Sequence, residues 1–354
     1  MSRERALVQF SRKKTRSVAF LFSPQQLMFL ADEVYSGNVP AGDVYLFFPL
    51  TTSMEQFPGR VMRQTCAQVR PIFGQGKFRV VPTLKGARIL TIAMAMRLFE
   101  LRNVTPKVVI SGVPTSGLIE RTRLARSAER LILIDDGQAA KDLDRHFYPD
   151  LKSNSSFRRR SMLAARVAGP RNSLCREQIE LVSMVPKIHF QSERSSIDVV
   201  LKLNQLEALR QYLGNSSQST PSGRRVLIGT NLRNFPSETV AKVLISIVEK
   251  HGIQEYRAHR HEDPSVARRV KKATGVQIQY PTLPLELELL IEDPGHKYFV
   301  PPSNLTFHLS SMIGDKDRII HIQLTDELFK IPGLTEEQRS YLELLEQLEI
   351  EGLS

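Results

Sequence analysis

The residues best equipped for chemistry stand at the ends of apolar runs. In "LILIDDG" (131–137) four apolar residues lead straight into Asp135, Asp136 and Gly137. A run of that length closed by a turn residue predicts a buried strand of a parallel sheet. Two adjacent carboxylates there have three uses: gripping a metal, serving as a base, or capping the next helix. Neighbouring residues on a strand point to opposite faces, so one carboxylate aimed inward and one holding the turn is easier to build than a chelate. Further on, "VLIGTN" ends in Gly229, Thr230 and Asn231, "EYRAHRHE" in His259, Arg260, His261 and Glu262, and "NLTFHLSS" in Ser310 and Ser311. This second set suits phosphate. Glycine lets backbone N–H groups approach a ligand, histidines and hydroxyls donate hydrogen bonds, and a following helix N-terminus adds partial positive charge. Taken singly, each has a plainer use: Ser310 and Ser311 as helix caps, His259 as a surface histidine.

Positioning such residues requires a fold that gathers strand ends. "VAFLF" (18–22) reads as a first strand. "SPQQLMFLADEVYSG" follows as an amphipathic helix with Ser23 as N-cap, Pro24 at the first helical position and Gly37 just past the end. "DVYLFFP" (43–49), "FRVVP" (78–82) and "KVVISG" (107–112) read as strands, the last delivering Ser111 and Gly112. "GARILTIAMAMRLFELRN" (86–103) is apolar over most of its circumference and reads as a buried helix, and "LIERTRLARSAE" is helical. Residues 151–175 are basic, Ser-rich and weakly periodic, a long surface excursion, and "VVLKLNQLEALRQYLG" (199–214) reads as helical. "GNSSQSTPSGRR" (214–225) is the clearest linker. A second α/β series follows it, and a closing helix opens on a capping box from Thr335 to Gln338. Strands alternating with helices predict parallel sheets covered on both faces, in an α/β fold of two Rossmann-like domains facing a cleft. The expected divisions are 1–213, the linker 214–225, 226–334, and a final helix over 335–354. In open parallel sheets, ligands bind outside the carboxyl ends of the strands.

Composition narrows the partners. The chain has 354 residues, 41% hydrophobic and 24% charged, as in soluble globular proteins. No apolar run approaches the ~18 residues of a transmembrane helix, and the basic start lacks the apolar core of a signal peptide. Two cysteines, Cys66 and Cys175, form neither a disulfide framework nor a zinc pattern. A cytoplasmic protein is expected. The net charge of +12 calls for a polyanionic partner. With no tryptophan, no stacking motif and no zinc finger, nucleic acid is not the expected one. Anionic membrane lipid or an anionic substrate fits, and the first would place the protein on the inner face of the cytoplasmic membrane. Neither a phosphate-binding G-x-x-x-x-G-K-[ST] loop nor a G-x-G-x-x-G fingerprint is present.

One ordered set of residues resembles a known family. Ser23, Pro24 and Leu27 follow the first strand. Then come the Asp135-Asp136-Gly137 strand end, a strand end containing His259, Pro284 with Glu286, and the Ser310-Ser311 pair. The order is similar to that of bacterial sialyltransferases and polysialyltransferases of the two-Rossmann (GT-B) type, over roughly residues 18–315. The resemblance implies an inverting, metal-independent and cofactor-free transfer of sialic acid from CMP-sialic acid to a glycan hydroxyl, in capsule or lipooligosaccharide synthesis. Asp136 would be the base, with Asp135 shaping the turn. His259, Ser310 and Ser311 would hold the departing phosphate, Glu286 would accept hydrogen bonds from the ribose hydroxyls, and the Gly229 loop would lie near the nucleotide. The family's His-Pro is His259-Arg260 here, so His261, in "HEDP" (261–264), is the second candidate for the histidine's role. The basic patches suit a polyanionic acceptor. Two other readings fit the same residues: a GT-B transferase using another nucleotide-activated sugar, and a non-catalytic protein that binds anions or nucleic acid.

Overall fold

A computed structural model of the chain describes residues 17–49, 57–83, 94, 106–112, 127–135, 178–184, 198–213, 223–230, 232, 235–259, 262–291, 295–301, 305, 308–309, 312–313, 316–322, 328, 334–336, 338–339 and 342–343. Twelve strands among them form two sheets. The first contains β1 (Ser17–Leu21), β2 (Asp43–Pro49), β3 (Phe78–Thr83), β4 (Val108–Gly112), β5 (Arg130–Ile134), β6 (Gln178–Ser183) and β7 (Asp198–Leu203), in the order β3-β2-β1-β4-β5-β6-β7. The second contains β8 (Arg225–Ile228), β9 (Glu255–Arg257), β10 (Gln277–Gln279), β11 (Lys297–Val300) and β12 (Ile319–His321), in the order β10-β9-β8-β11-β12. Every pairing between these strands is parallel. The order reverses between β1 and β4 and again between β8 and β11, so each sheet is doubly wound with its own switch point.

Six helices lie among the described residues: α1 (Pro24–Tyr35), α2 (Phe57–Val69), α3 (Glu207–Leu213), α4 (Ser237–His251), α5 (Pro264–Thr274) and α6 (Leu285–Ile291). The first is built as its sequence dictates. Ser23 Oγ accepts the Gln26 N–H at 3.2 Å, Pro24 opens the helix, and Gly37 leaves it with φ +79°. The Thr335 capping box is also present, with Thr335 N–H donating to Gln338 Oε1 at 2.9 Å and Gln338 N–H to Thr335 Oγ1 at 3.2 Å.

Three strands depart from the sequence reading. Residues 199–214, expected to be one helix, divide into β7 and α3. The break lies at Asn204–Leu206. Leu206 is buried and adopts a left-handed φ of +57°, held by its N–H donating to Asn204 Oδ1 at 2.9 Å. A tertiary contact sets this corner: Asp32 Oδ1 on α1 accepts the Leu209 N–H at 2.7 Å and supplies α3 with a cap from another helix. Asn204 Nδ2 bridges Asp32 Oδ2 and Glu33 Oε1 at 3.0 and 2.8 Å, and Lys202 pairs with Glu33. Burial raises the Asp32 pKa, and the Leu209 N–H and Asn204 oppose that shift. Strands β6 and β11 had no counterpart in the sequence reading, and neither had α2. The strand β8 begins at Arg225, inside the expected linker span. Apart from residues 94 and 127–129, the predicted helices at 86–103 and 118–129 lie outside the described residues, as do the excursion at 151–175 and most of the linker.

One continuous apolar core joins the two sheets. It runs from Leu27, Met28 and Leu30 of α1 through Leu209 of α3 to Leu287, Leu290 and Leu309 of the second half. The Phe29 ring meets His308 edge-on with centroids 6.1 Å apart, and Arg210 Nη2 donates to Met312 O at 2.9 Å. A second core lies between β8, β9, β11 and the helices α4 and α5.

Candidate functional site

In the first sheet, Asp135 follows β5 and is fully buried. Its N–H donates to Val182 O at 3.0 Å, and its Oδ2 accepts the Ser183 hydroxyl at 3.1 Å. The carboxylate therefore ties the end of β5 to the end of β6. Asp136 and Gly137 lie outside the described residues. At the switch point between β1 and β4, the protein fills its own crevice. Gln26 is completely buried and its Oε1 accepts the Phe22 N–H at 2.8 Å. A side chain on Gly112 would overlap the Gln26 amide, so glycine is needed there for packing.

In the second sheet, the ends of β8 and β9 are pressed together. A Cβ on Gly229 would stand 2.5 Å from the His259 backbone nitrogen and 2.9 Å from Arg257 O. Gly229 N–H itself donates to Arg257 O at 2.8 Å. The expectation that Gly229 frees backbone N–H groups for a ligand is corrected at this atom: its own N–H is spent on the sheet, and the missing side chain makes room for the end of β9. Thr230 is buried and His259 half-buried, while Asn231, Arg260 and His261 lie outside the described residues. The next helix, α4, starts after Pro236 with no side chain capping its N-terminus.

Glu286 lies in the first turn of α6, buried, with Oε1 2.7 Å from His308 Nδ1. His308 is equally buried and was not singled out from the sequence. The signal was there in "NLTFHLSS": a histidine in an otherwise apolar stretch needs a polar partner if it is buried. Ser310 and Ser311 lie outside the described residues, and the expectation that they end a strand is corrected by their neighbours, since Leu305, His308, Leu309 and Met312 are helical. Helix α6 is fastened to β9 by Arg257, whose Nη1 donates to Glu288 Oε2 at 2.6 Å and whose Nε donates to Glu255 Oε1 at 2.8 Å. Burial raises the Glu288 pKa, and the charge of Arg257 opposes it. The segments carrying His259 and Glu286 are thus held to one another by the residue two positions before His259.

The geometry brings together the β8 and β9 ends with Thr230 and His259, and, through Arg257, the Glu286–His308 pair. It sets Asp135 in the other sheet. Buried acid, imidazole and hydroxyl groups at the carboxyl ends of a doubly wound sheet can hold a ribose and a phosphate. Among the described residues no helix is long and apolar enough to cross a membrane.

No protein-family model and no curated protein sequence matches the chain. Among solved structures, it is similar to an alpha/beta-galactoside alpha-2,3-sialyltransferase from Photobacterium phosphoreum at 11% identity and a TM-score of 0.46, over 90% of this chain and 97% of that one. It is similar to a UDP-GlcNAc 2-epimerase from Neisseria meningitidis bound to UDP-GlcNAc at 9% identity and a TM-score of 0.43, over 95% and 93% of the two chains. An E. coli heptosyltransferase with ADP is similar at 14% identity and a TM-score of 0.36, over 95% and 99%. The class of fold is defined by the chain's own strands: two parallel, doubly wound sheets in an α/β protein.

Proposed function

We propose that this protein is a glycosyltransferase that moves a sugar from a nucleotide-activated donor to a hydroxyl acceptor, with CMP-sialic acid as the donor. The observation that carries the reading is the division of ionisable groups between two doubly wound sheets. A carboxylate closes a strand of the first sheet at Asp135, and His259 and the Glu286–His308 pair follow strands of the second. Such a division supports an acceptor half over residues 1–213 and a donor half over 226–334. The choice of donor rests on the ordered residues from Ser23 to Ser311.

In this reading Asp136 takes the proton from the acceptor hydroxyl. The neighbouring Asp135 carboxylate is already engaged with Ser183, which supports giving the base's role to Asp136. His259, Ser310 and Ser311 stabilise the negative charge growing on the CMP phosphate, and the α4 N-terminus, which follows β8, adds its dipole. Glu286 receives the ribose hydroxyls, oriented by His308. Thr230, Asn231 and His261 line the nucleotide. Donors fixed in advance against a developing charge are each worth about 3 kcal/mol, and a positioned base contributes about 10²–10⁴-fold. A polyanionic glycan acceptor and an anionic inner-membrane surface both suit the +12 charge.

Purified protein titrated with CMP, UDP, ADP, CMP-sialic acid and single-stranded nucleic acid, followed by thermal shift, tests the reading. Stabilisation by the CMP compounds alone is the expected result. Asp136→Ala is expected to keep donor binding and lose transfer, whereas His259→Ala loses both. Binding confined to nucleic acid, falling steeply with salt, would remove the enzyme from consideration.

A further inference from the structure

We propose that Glu262 is a positioning residue that clamps the His259 strand end; its role in nucleotide binding rests on the reading above. Ala258 and His259 leave β9, and Glu262 and Asp263 lead into α5. Ala258 N–H donates to Gln279 O at 3.0 Å, fixing the entry. At the exit, Asp263 accepts the Ser265 N–H at 2.9 Å and the Ser237 hydroxyl of α4 at 2.8 Å. Between these anchors, Glu262 closes the turn twice. Its N–H donates to His259 O at 2.9 Å, and its Oε2 accepts the hydroxyl of Tyr256, a fully buried residue of β9. The carboxylate thus reaches back past His259 to the strand from which that residue emerges. A chain without proline after His259 gains from side-chain bonds the stiffness that a ring would have supplied.

The clamp has a proton of its own. Burial pushes the Glu262 carboxyl up to about 7, with Asp263 adding to the shift and the Tyr256 hydroxyl and the nearby His259 N–H opposing it. Oε1 is enclosed and has no hydrogen-bond partner among the described residues. Tyr256 is pushed well above its ordinary value by burial first and then by Glu262, with Tyr280 beside it. The charge of Arg268 on α5 acts on Asp263. A carboxyl more acidic when released than when clamped holds most firmly in its protonated form. The clamp therefore loosens as pH rises from about 4.5 towards about 7 and is constant above.

The test uses the full chain as wild type, Glu262→Gln, Glu262→Ala and Tyr256→Phe. Amide exchange over 258–263 without ligand reads the clamp, and CMP affinity from pH 5.5 to 8.5 reads its consequence. Glu262→Ala and Tyr256→Phe are expected to speed exchange in that segment and weaken CMP binding about tenfold, the scale set by the loss of one hydrogen bond to a charged or buried group. Glu262→Gln, an uncharged isostere, is expected to restore both. The ratio of wild-type to Glu262→Gln dissociation constants cancels the titration of CMP, and should rise with pH up to about 7 and level off above it. Unchanged exchange in Glu262→Ala and Tyr256→Phe overturns the clamp. Faster exchange with unchanged CMP affinity overturns its positioning role. Wild type that binds no CMP at any pH overturns the functional reading instead, and the exchange data then decide the clamp by themselves.

Discussion

Replacing Gly229 with alanine puts a methyl carbon where the end of β9 already lies. The new Cβ would stand 2.5 Å from the His259 nitrogen, 2.9 Å from Arg257 O and 3.1 Å from the Ala258 carbonyl carbon. All three are backbone atoms, so no side chain can swing aside. Non-bonded atoms settle at about 3.5 Å or more, which requires the His259 strand end to retreat by about 1 Å. Gly229 does not adopt a left-handed φ, so the cost is steric alone. Overpacking of this kind costs about 1–3 kcal/mol. The Gly229–Arg257 hydrogen bond is strained in the same movement. A misplacement of about 1 Å in a site lowers activity by about 10²-fold. Urea unfolding gives the first quantity, and calorimetric titration with CMP reads the displacement at His259. A loss of stability under about 0.5 kcal/mol, the scatter of neutral surface changes, with unchanged CMP affinity would show that the β8–β9 contact is not what fixes His259.

Three further expectations follow from the same geometry. Gly112→Ala displaces the buried Gln26 amide and strips Phe22 N–H of its acceptor, so it should destabilise by about 1–3 kcal/mol in urea while leaving CMP affinity intact. Asn204→Ala leaves the buried Asp32 and Glu33 carboxylates without their shared donor, and unfolding should show a loss of about 2–3 kcal/mol at neutral pH. For Glu262, the folded-state value near 7 lies above the ordinary 4.5, so the folded protein binds the extra proton between the two. Its effect on stability is absent below about 4.5, falls as pH rises to about 7 and is constant above. Glu262→Gln should therefore gain on wild type between pH 4 and pH 8 by at most about 3 kcal/mol, less to the extent that solvent screens the carboxylate. A gain in the opposite direction would contradict the burial of this group.

Much of the scaffold was legible because local and tertiary preferences agree. "SPQQLMFLADEVYSG" carries its cap, its proline and its terminating glycine, and all three act as read. The alternation of strand and helix gave the parallel sheets. Strand β7 was hidden because "VVLKL" runs into "NQLEALRQYL" with a continuous helical pattern. The break depends on Asp32, more than a hundred residues earlier in the chain, and on the left-handed Leu206. Strand β11 is four residues long and sits between the charged "EDPGH" and the prolines Pro301 and Pro302, too short for any period to show. At the site, Glu286 was legible only as part of an ordered set, since nothing local marks one glutamate of "LELELL" from the next. His308 carries no local mark of its own, standing in an apolar stretch just before Ser310 and Ser311. Its pairing with Glu286 joins two segments twenty-two residues apart, a relation the fold creates. The tight seat of Gly229 was likewise invisible, because it is made by the backbone of a different strand.

The most direct measurement is a coupled transfer assay. Wild type is incubated with CMP-sialic acid, UDP-linked sugars or ADP-linked sugars and a mixture of neutral and polyanionic glycans, and nucleotide release and glycan mass are followed together. The expected result is CMP release matched by a sialic-acid increment on a glycan, abolished by Asp136→Ala. Nucleotide release and sugar transfer from UDP- or ADP-linked sugars alone would contradict the donor assignment, and the absence of transfer from every donor would contradict the enzyme.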